Sequence, residues 1–282
     1  MIWANRYRRL RALVGKPILL RHKAVVQTDS MSYCEDPIFV IGCHRSGTSL
    51  LRRMLDSHQS IACPPETYFL KYFFDMLKDE SARSGFAGIL APDDIDPTVL
   101  RHAFSFHEAY RIANDKPRWA DKTPSYVDYL PELERWAPKR TQFIVIKRDP
   151  YDIAISIFDR NWFAGHHADD PLANAALFVE EKLAKIQAFV ARGRTHVVDY
   201  EALVREPEAS ARAITDYLNE DYDARMITPW ASAHNFGTED PIARSSKRFE
   251  ASVGNWRRLE PEKQALLAGI LGDLRAELGY TD

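Results

Sequence analysis

Short apolar runs bounded by turn residues alternate along this chain with segments whose apolar positions recur at helical spacing. Ile38 to Ile41 is an uninterrupted apolar run between Pro37 and Gly42 and predicts a buried parallel strand. Leu50, Leu51, Met54 and Leu55 then recur at helical spacing, so a helix follows. Phe143 to Ile146 predicts a second buried strand, and Pro150 suits the first turn of a segment carrying Ile153, Ile155, Ile157 and Phe158. A third strand is predicted over 195–200, with a helix near 207–218. Residues 67–77 read as an aromatic-rich helix crowded by Tyr68, Phe69, Tyr72, Phe73 and Phe74. Residues 79–118 hold Gly85, Gly88, Pro92, Pro97 and Pro117 with few strand signals, which makes 67–118 a helical insertion. A helix over 126–136, a loop with a short helical piece over 219–237 and a closing amphipathic helix over 261–278 complete a mixed α/β pattern without repeats.

The two strand-to-helix joints carry the chemistry. Gly42-Cys-His-Arg-Ser-Gly-Thr-Ser49 is a glycine-containing turn opening onto a helix N-terminus, where backbone N–H groups and the helix dipole favour an anion. The spacing of Gly42 and Gly47 matches the nucleotide-triphosphate P-loop, but Thr48 stands where the phosphate-binding lysine belongs. The loop's only cation is Arg45, so a kinase or GTPase reading loses its main charge. At the second joint, Lys147-Arg-Asp-Pro150 places Arg148 at the C-terminal end of a strand, where open α/β sheets bind ligands. Ser156 and Arg160 return to the same helical face and complete a site for a phosphate dianion. Taken alone, this joint also suits a salt-bridged turn.

Together the two joints resemble the sulfotransferases that use 3'-phosphoadenosine 5'-phosphosulfate (PAPS). The resemblance implies a P-loop-type α/β sandwich: a central parallel sheet flanked by helices, in one domain over 37–282, with 67–118 on the acceptor side. It implies sulfuryl transfer from PAPS, as co-substrate, to a hydroxyl acceptor: a small-molecule phenol, a glycan, a lipid-linked glycan or a peptide tyrosine. Arg45, Ser46, Gly47, Thr48 and Ser49 would cradle the 5'-phosphosulfate, and Arg148, Ser156 and Arg160 the 3'-phosphate. The run from Arg45 through Met54-Leu-Asp-Ser-His58 to Glu66-Thr67 is similar to the tyrosylprotein sulfotransferases and their bacterial relatives. That similarity implies Glu66 as the catalytic base and Lys122, in Lys122-Thr-Pro124, beside the transferring group with Arg45. Tyr200 before Glu201 resembles the family's adenine-side tyrosine. Residues 244–256 resemble its closing loop, with Ser245 or Ser246 and Lys247 or Arg248 as donor contacts; Ser246 and Lys247 are the pair taken here. A histidine-base branch of the family makes His102 and His107 the rival bases, and His166-His167 reads as a loop. The competing functions are a nucleotide kinase with a degenerate loop and a non-catalytic nucleotide-binding protein.

Composition narrows the surroundings. With 282 residues, 45% hydrophobic and 28% charged, the chain can bury one substantial core. A net charge of −2 argues against a nucleic-acid binder acting through bulk electrostatics. Cys34, Cys43 and Cys63 are odd in number and lack metal-ligand spacing, which argues against a disulfide scaffold or zinc site and for a reducing cytoplasm. The transfer itself calls for no metal, and no acidic cluster stands beside the loop to hold Mg²⁺. The run from Val14 to Leu20 is broken by Lys16 and Pro17, far short of the roughly 20 apolar residues of a membrane span. Residues 1–36 form a basic amphipathic segment with Arg6, Arg8, Arg9, Arg11 and Lys16 among Trp3, Tyr7 and Leu10. It has two readings: peripheral contact with an anionic membrane through 1–25, or a solvated helix packed on the domain. Oligomeric state is not legible.

Overall fold

A computed structural model describes residues 33–162, 167–193, 195–234, 237, 245 and 247–280. The basic N-terminal segment, apart from its last four residues, falls outside them, as do His166 and Ser246. Five strands, β1 (Ile38–Ile41), β2 (Ile61–Ala62), β3 (Arg118–Lys122), β4 (Gln142–Lys147) and β5 (Thr195–Asp199), form a parallel sheet in the order β2-β3-β1-β4-β5. The helices, in chain order, are α1 (Thr48–Ser57), α2 (Leu70–Lys78), α3 (Glu80–Ala87), α4 (Pro92–Ala113), α5 (Leu130–Trp136), α6 (Pro150–Phe158), α7 (Pro171–Val190), α8 (Tyr200–Arg205), α9 (Pro207–Leu218) and α10 (Pro261–Glu277).

Why the strands read as unbroken apolar runs is clear from the two faces they bury. Ile38, Val40, Ile144 and Ile146 point to one side and pack with Leu51, Met54 and Leu55 of α1 and with α8 and α9. Phe39, Ile41, Phe143 and Val145 point to the other and meet α2, α4, α6, α7 and α10. A parallel sheet covered on both faces favours near-continuous apolar runs in its central strands. The insertion is built into this second core, since Leu70, Phe74, Leu77, Ile95, Val99 and Phe104 belong to it.

Two strands depart from the sequence expectation. β2 has only two residues, and β3 reads Arg-Trp-Ala-Asp-Lys, too polar to resemble a buried strand, yet all five residues are buried. Each charge in β3 has a dedicated partner. Arg118 donates to Asp36 O (2.7 and 3.0 Å), Leu218 O (2.9 Å), Glu220 Oε1 (2.9 Å) and Gln142 Oε1 (2.6 Å). Asp121 and Lys122 serve the opposite end of the sheet, described below. The helix expected over 126–136 starts as a 3₁₀ turn at Pro124–Tyr129 before α5. α7 goes beyond the expectation: Asp170 caps it by accepting from Ala173 N at 2.7 Å, with Pro171 in its first turn. No helix among the described residues is long and apolar enough to cross a membrane.

The face on which each crossover helix packs creates the crevice. α1 leaves β1 toward one face, and α6 leaves the neighbouring β4 toward the other. The two joints therefore diverge at the C-terminal ends of adjacent strands, the switch point where such sheets bind ligands. Arg118 ties together the opposite, N-terminal end. We expect Arg118→Ala to cost about 3–5 kcal/mol, as for breaking a buried pair and leaving its acceptors without a donor. A urea titration would show this as a lower midpoint at unchanged slope; an unmoved midpoint would refute the assigned role.

Candidate functional site

The first joint is shaped by what its backbone must do. Gly47 has φ 97°, and a Cβ there would lie 2.4 Å from Tyr200 Cδ2, so only glycine fits on both counts. Ser46 folds the turn inward, its N–H and its hydroxyl both donating to Cys43 O, at 3.2 and 2.7 Å. Arg45 takes the left-handed conformation at φ 70°. Leu50 N returns to Gly47 O at 3.0 Å, so helical bonding begins there and the N–H groups of Thr48 and Ser49 have no acceptor within the helix. The first turn of α1 carries no acidic residue, which leaves its positive end for an external anion. The loop adds no negative charge of its own. Burial pushes the Cys43 thiol up to about 12, and burial likewise lowers the His44 imidazole to about 4, so both are neutral at physiological pH.

Register delivers the second joint. Lys147 pairs with Asp199, so Arg148 and Tyr200 leave their strands side by side, with Arg148 Cζ 4.7 Å from the tyrosine ring centroid. Arg148 is buried; its Nη1 donates to Arg45 O at 2.6 Å and its Nη2 to Ser252 Oγ at 3.1 Å. Ser156 Oγ accepts from Arg45 Nε at 3.0 Å and from Arg160 Nη1 at 3.1 Å. The Trp162 ring lies 5.5 Å from Arg45 Cζ and 6.0 Å from Arg160 Cζ. Arg45, Arg148, Ser156, Arg160 and Tyr200 line a cavity of about 440 Å³ that also touches Thr48, Ser49, Arg53, Trp230, Arg248, Ser252 and Arg258. Six arginines face three carboxylates there, and the carboxylates are engaged. Asp152 accepts from Gly254 N at 2.6 Å, Glu250 from Arg248 Nε at 2.9 Å, and Asp159 pairs with Arg258. The surplus is positive and suits a polyanion.

Beside the cavity lies a second cluster. Lys122, at the C-terminal end of β3 and only 1% exposed, donates to Glu66 Oε1 at 2.6 Å and approaches Ser49 Oγ at 3.4 Å. Tyr68 Oη donates to the other oxygen of Glu66. Two networks hold Glu66 in place from either side. Upstream, the buried Arg52 of α1 donates to Cys63 O at 2.9 Å and Pro64 O at 3.3 Å, while Asp56 accepts from Cys63 N at 3.0 Å. Burial alone would raise the Asp56 carboxyl; its hydrogen bond to His234, the Arg52 charge and the Cys63 N–H hold it below the usual range. Downstream, Thr67 Oγ1 donates to Asp121 Oδ2 at 2.7 Å, Thr67 N to Thr123 Oγ1 at 3.0 Å, and His107 Nε2 bonds Asp121 Oδ2 at 2.6 Å.

The expected residues are therefore not equally placed. Arg45, Gly47, Thr48, Ser49, Arg148, Ser156, Arg160 and Tyr200 all line the one cavity. Arg45 reaches across to Ser156 rather than toward Lys122, and Arg160 lies past the end of α6, returning through its side chain. Ser46 is wholly buried with its hydroxyl committed to Cys43 O, and it does not line the cavity. Lys247 is exposed and off the cavity, whereas its neighbour Arg248 lines it; Ser246 lies outside the described residues. His107 is buried against Asp121, stacked 4.4 Å from Trp119, and His102 is exposed on α4. Neither faces the cavity. Asp121, Trp162 and Trp230 leave no mark in the sequence, because a polar strand and single residues in loops give no periodic signal, whereas Ser252 falls within the expected closing loop.

Comparison with known proteins agrees with this geometry. The model of the sulfotransferase family matches residues 37–224. A putative protein-tyrosine sulfotransferase of Caenorhabditis briggsae is 29% identical over 206 residues, covering 70% of each chain. An uncharacterized protein of Aquifex aeolicus is 25% identical over 241 residues, which span 79% of this chain but 31% of that protein. The sulfotransferase domain of the Synechococcus PCC 7002 olefin synthase superposes with a TM-score of 0.66 at 23% identity, over 91% of this chain and 98% of that one. With the family match running across both joints and the Glu66–Lys122 cluster, the chain belongs to the sulfotransferase family, a class of enzymes that transfer sulfuryl groups.

Proposed function

We propose that the protein moves the sulfuryl group of PAPS to an acceptor hydroxyl, in line, and releases adenosine 3',5'-bisphosphate. The observation that carries this reading is Lys122, which bonds Glu66 on one side and approaches Ser49 of the anion cradle on the other. One lysine thus links a carboxylate base to the place where the donor's phosphosulfate would rest.

Each residue then has a task. The N–H groups of Thr48 and Ser49, with their hydroxyls, hold the 5'-phosphosulfate at the start of α1. Arg45, Arg148, Ser156 and Arg160 hold the 3'-phosphate; the guanidinium groups are already oriented by Trp162, Tyr200, the Arg45 carbonyl and Ser156, so little ordering remains on binding. Tyr200 forms the wall on the adenine side. Glu66 takes the proton of the acceptor hydroxyl as its oxygen attacks sulfur and the bond from sulfur to the bridging phosphate oxygen breaks. Lys122 donates to that bridging oxygen, where negative charge grows, and so favours the transition state over the ground state. The acceptor enters over the helical insertion at 67–118 of a single domain beginning at residue 37. There, Phe69, Phe73 and Phe106 form a ring cluster with centroids 5.1–6.4 Å apart, suited to a phenol, a sugar face or a tyrosine.

Glu66→Gln keeps the shape and removes the base, so turnover of radiolabelled PAPS should fall by ~10²–10⁴ with bisphosphate affinity nearly unchanged. Retained turnover would sink the assignment. Lys122→Ala should lower kcat far more than donor affinity, and a loss confined to donor binding would make Lys122 a ground-state contact only. At the 3'-phosphate, Arg148→Ala and Ser156→Ala should each lose a charge-assisted contact of about 1.5–3 kcal/mol, tenfold or more in affinity for the bisphosphate. Adenosine 5'-monophosphate should bind both variants as it binds the parent; equal losses for the two nucleotides would misplace the 3'-phosphate.

A further inference from the structure

Tyr68 stands at a point of backbone strain beside the candidate base. It has φ 57°, a conformation disfavoured for a bulky side chain, and Phe69 N closes the three-residue turn onto Thr67 O at 2.7 Å. The turn is held from both ends. Thr67 is bonded to Asp121 and Thr123, the amide of Leu70 donates to Tyr126 Oη at 3.0 Å, and Phe69 packs 5.1 Å from both Phe106 and His107. Glycine or asparagine would satisfy the same turn at lower cost. What tyrosine adds is a hydroxyl that reaches back two residues to Glu66.

We propose that Tyr68 is a positioning residue that holds the Glu66 carboxylate in place when Lys122 leaves it for the donor. The inference rests on Glu66 being the base. In this structure both oxygens of Glu66 are engaged, one by Lys122 and one by Tyr68. An acceptor hydroxyl approaching either oxygen competes with the donor already on it. Lys122 already approaches a further acceptor on the donor side, Ser49 Oγ at 3.4 Å, so it is the partner that moves. Glu66 would then be free to swing with it or into solvent, and the Tyr68 hydroxyl is the contact that prevents this. Burial first, and then the Glu66 carboxylate, push the Tyr68 phenol well above its ordinary range, so it remains a donor throughout the working pH. The groups facing Glu66 are Lys122 from β3, Tyr68 from the turn, and, at longer range, His44 from the loop after β1, which burial keeps neutral.

The test is Tyr68→Phe, which keeps the ring and the backbone demand and removes only the hydroxyl. Rates are read from radiolabelled PAPS with naphthol as acceptor, or with water as acceptor when naphthol is omitted. Losing a hydrogen bond to a charged group should lower kcat/KM about tenfold to a hundredfold, with bisphosphate affinity unchanged. In a Glu66→Gln background the same substitution should cost little, because the group it positions is gone. Parental kcat/KM in Tyr68→Phe would overturn the inference while leaving Glu66 as base. An equal loss in both backgrounds would also overturn it and make Tyr68 purely structural. Full turnover in Glu66→Gln alone would remove the base assignment and this inference with it.

Discussion

β1 and β4 are hydrogen-bonded neighbours whose following helices pack on opposite faces of the sheet, and the site depends on that divergence. Were α1 and α6 on the same face, their N-termini would compete for one space. Instead a crevice opens at the C-terminal ends of the two strands, with the loop of Gly42 to Ser49 on one wall and Arg148 on the other. Closeness of the backbone then does the rest. At Gly42 a Cβ would come within 2.7 Å of Ile146 Cγ2, so the loop can lie against β4 only because that side chain is absent. Arg148 converts the proximity into a bond by donating to Arg45 O.

Two kinds of charge arrangement divide the site. On the donor side, the guanidinium groups of Arg45 and Arg148 are propped on aromatic rings and a carbonyl before any anion arrives, while the neighbouring carboxylates are taken by Gly254 N, Arg248 and Arg258. Preorganised cations of this sort bind a phosphate with little ordering left to do. On the acceptor side, Glu66 and Lys122 are a close, largely buried pair, with side chains 12% and 1% exposed. Such a pair is costly to desolvate and gives little net stability. Its value lies in poise: each partner has a different destination during the transfer, and the approaches through Arg52 and Asp121 fix the chain on either side of Glu66.

How far the sequence could be read follows from what burial demands. β1 and β4 were legible because both of their faces are covered and the runs Ile38 to Ile41 and Phe143 to Ile146 are wholly apolar, and the joints because a left-handed glycine and a row of hydroxyls leave a local mark. β3 was not, because its three charges are buried by partners as distant in sequence as Asp36, Glu220 and Thr67. The same limit applied to side-chain direction. A turn's spacing does not show that Ser46 points inward to Cys43 O, nor that Arg45 crosses to Ser156. Tyr68 looked like one more aromatic in a helix, but α2 begins only at Leu70, and the residue sits in a strained turn.

Calorimetric titration of adenosine 3',5'-bisphosphate against ATP–Mg²⁺ probes the donor side directly, since the two nucleotides differ in where their charge lies. A cavity built around Arg148, Ser156 and Arg160 should take a 3'-phosphate, and a loop with Thr48 in place of lysine should hold outer phosphates poorly. The account predicts at least tenfold tighter binding of the bisphosphate, on the order of one lost charge-assisted contact. Tighter binding of ATP–Mg²⁺ would contradict it.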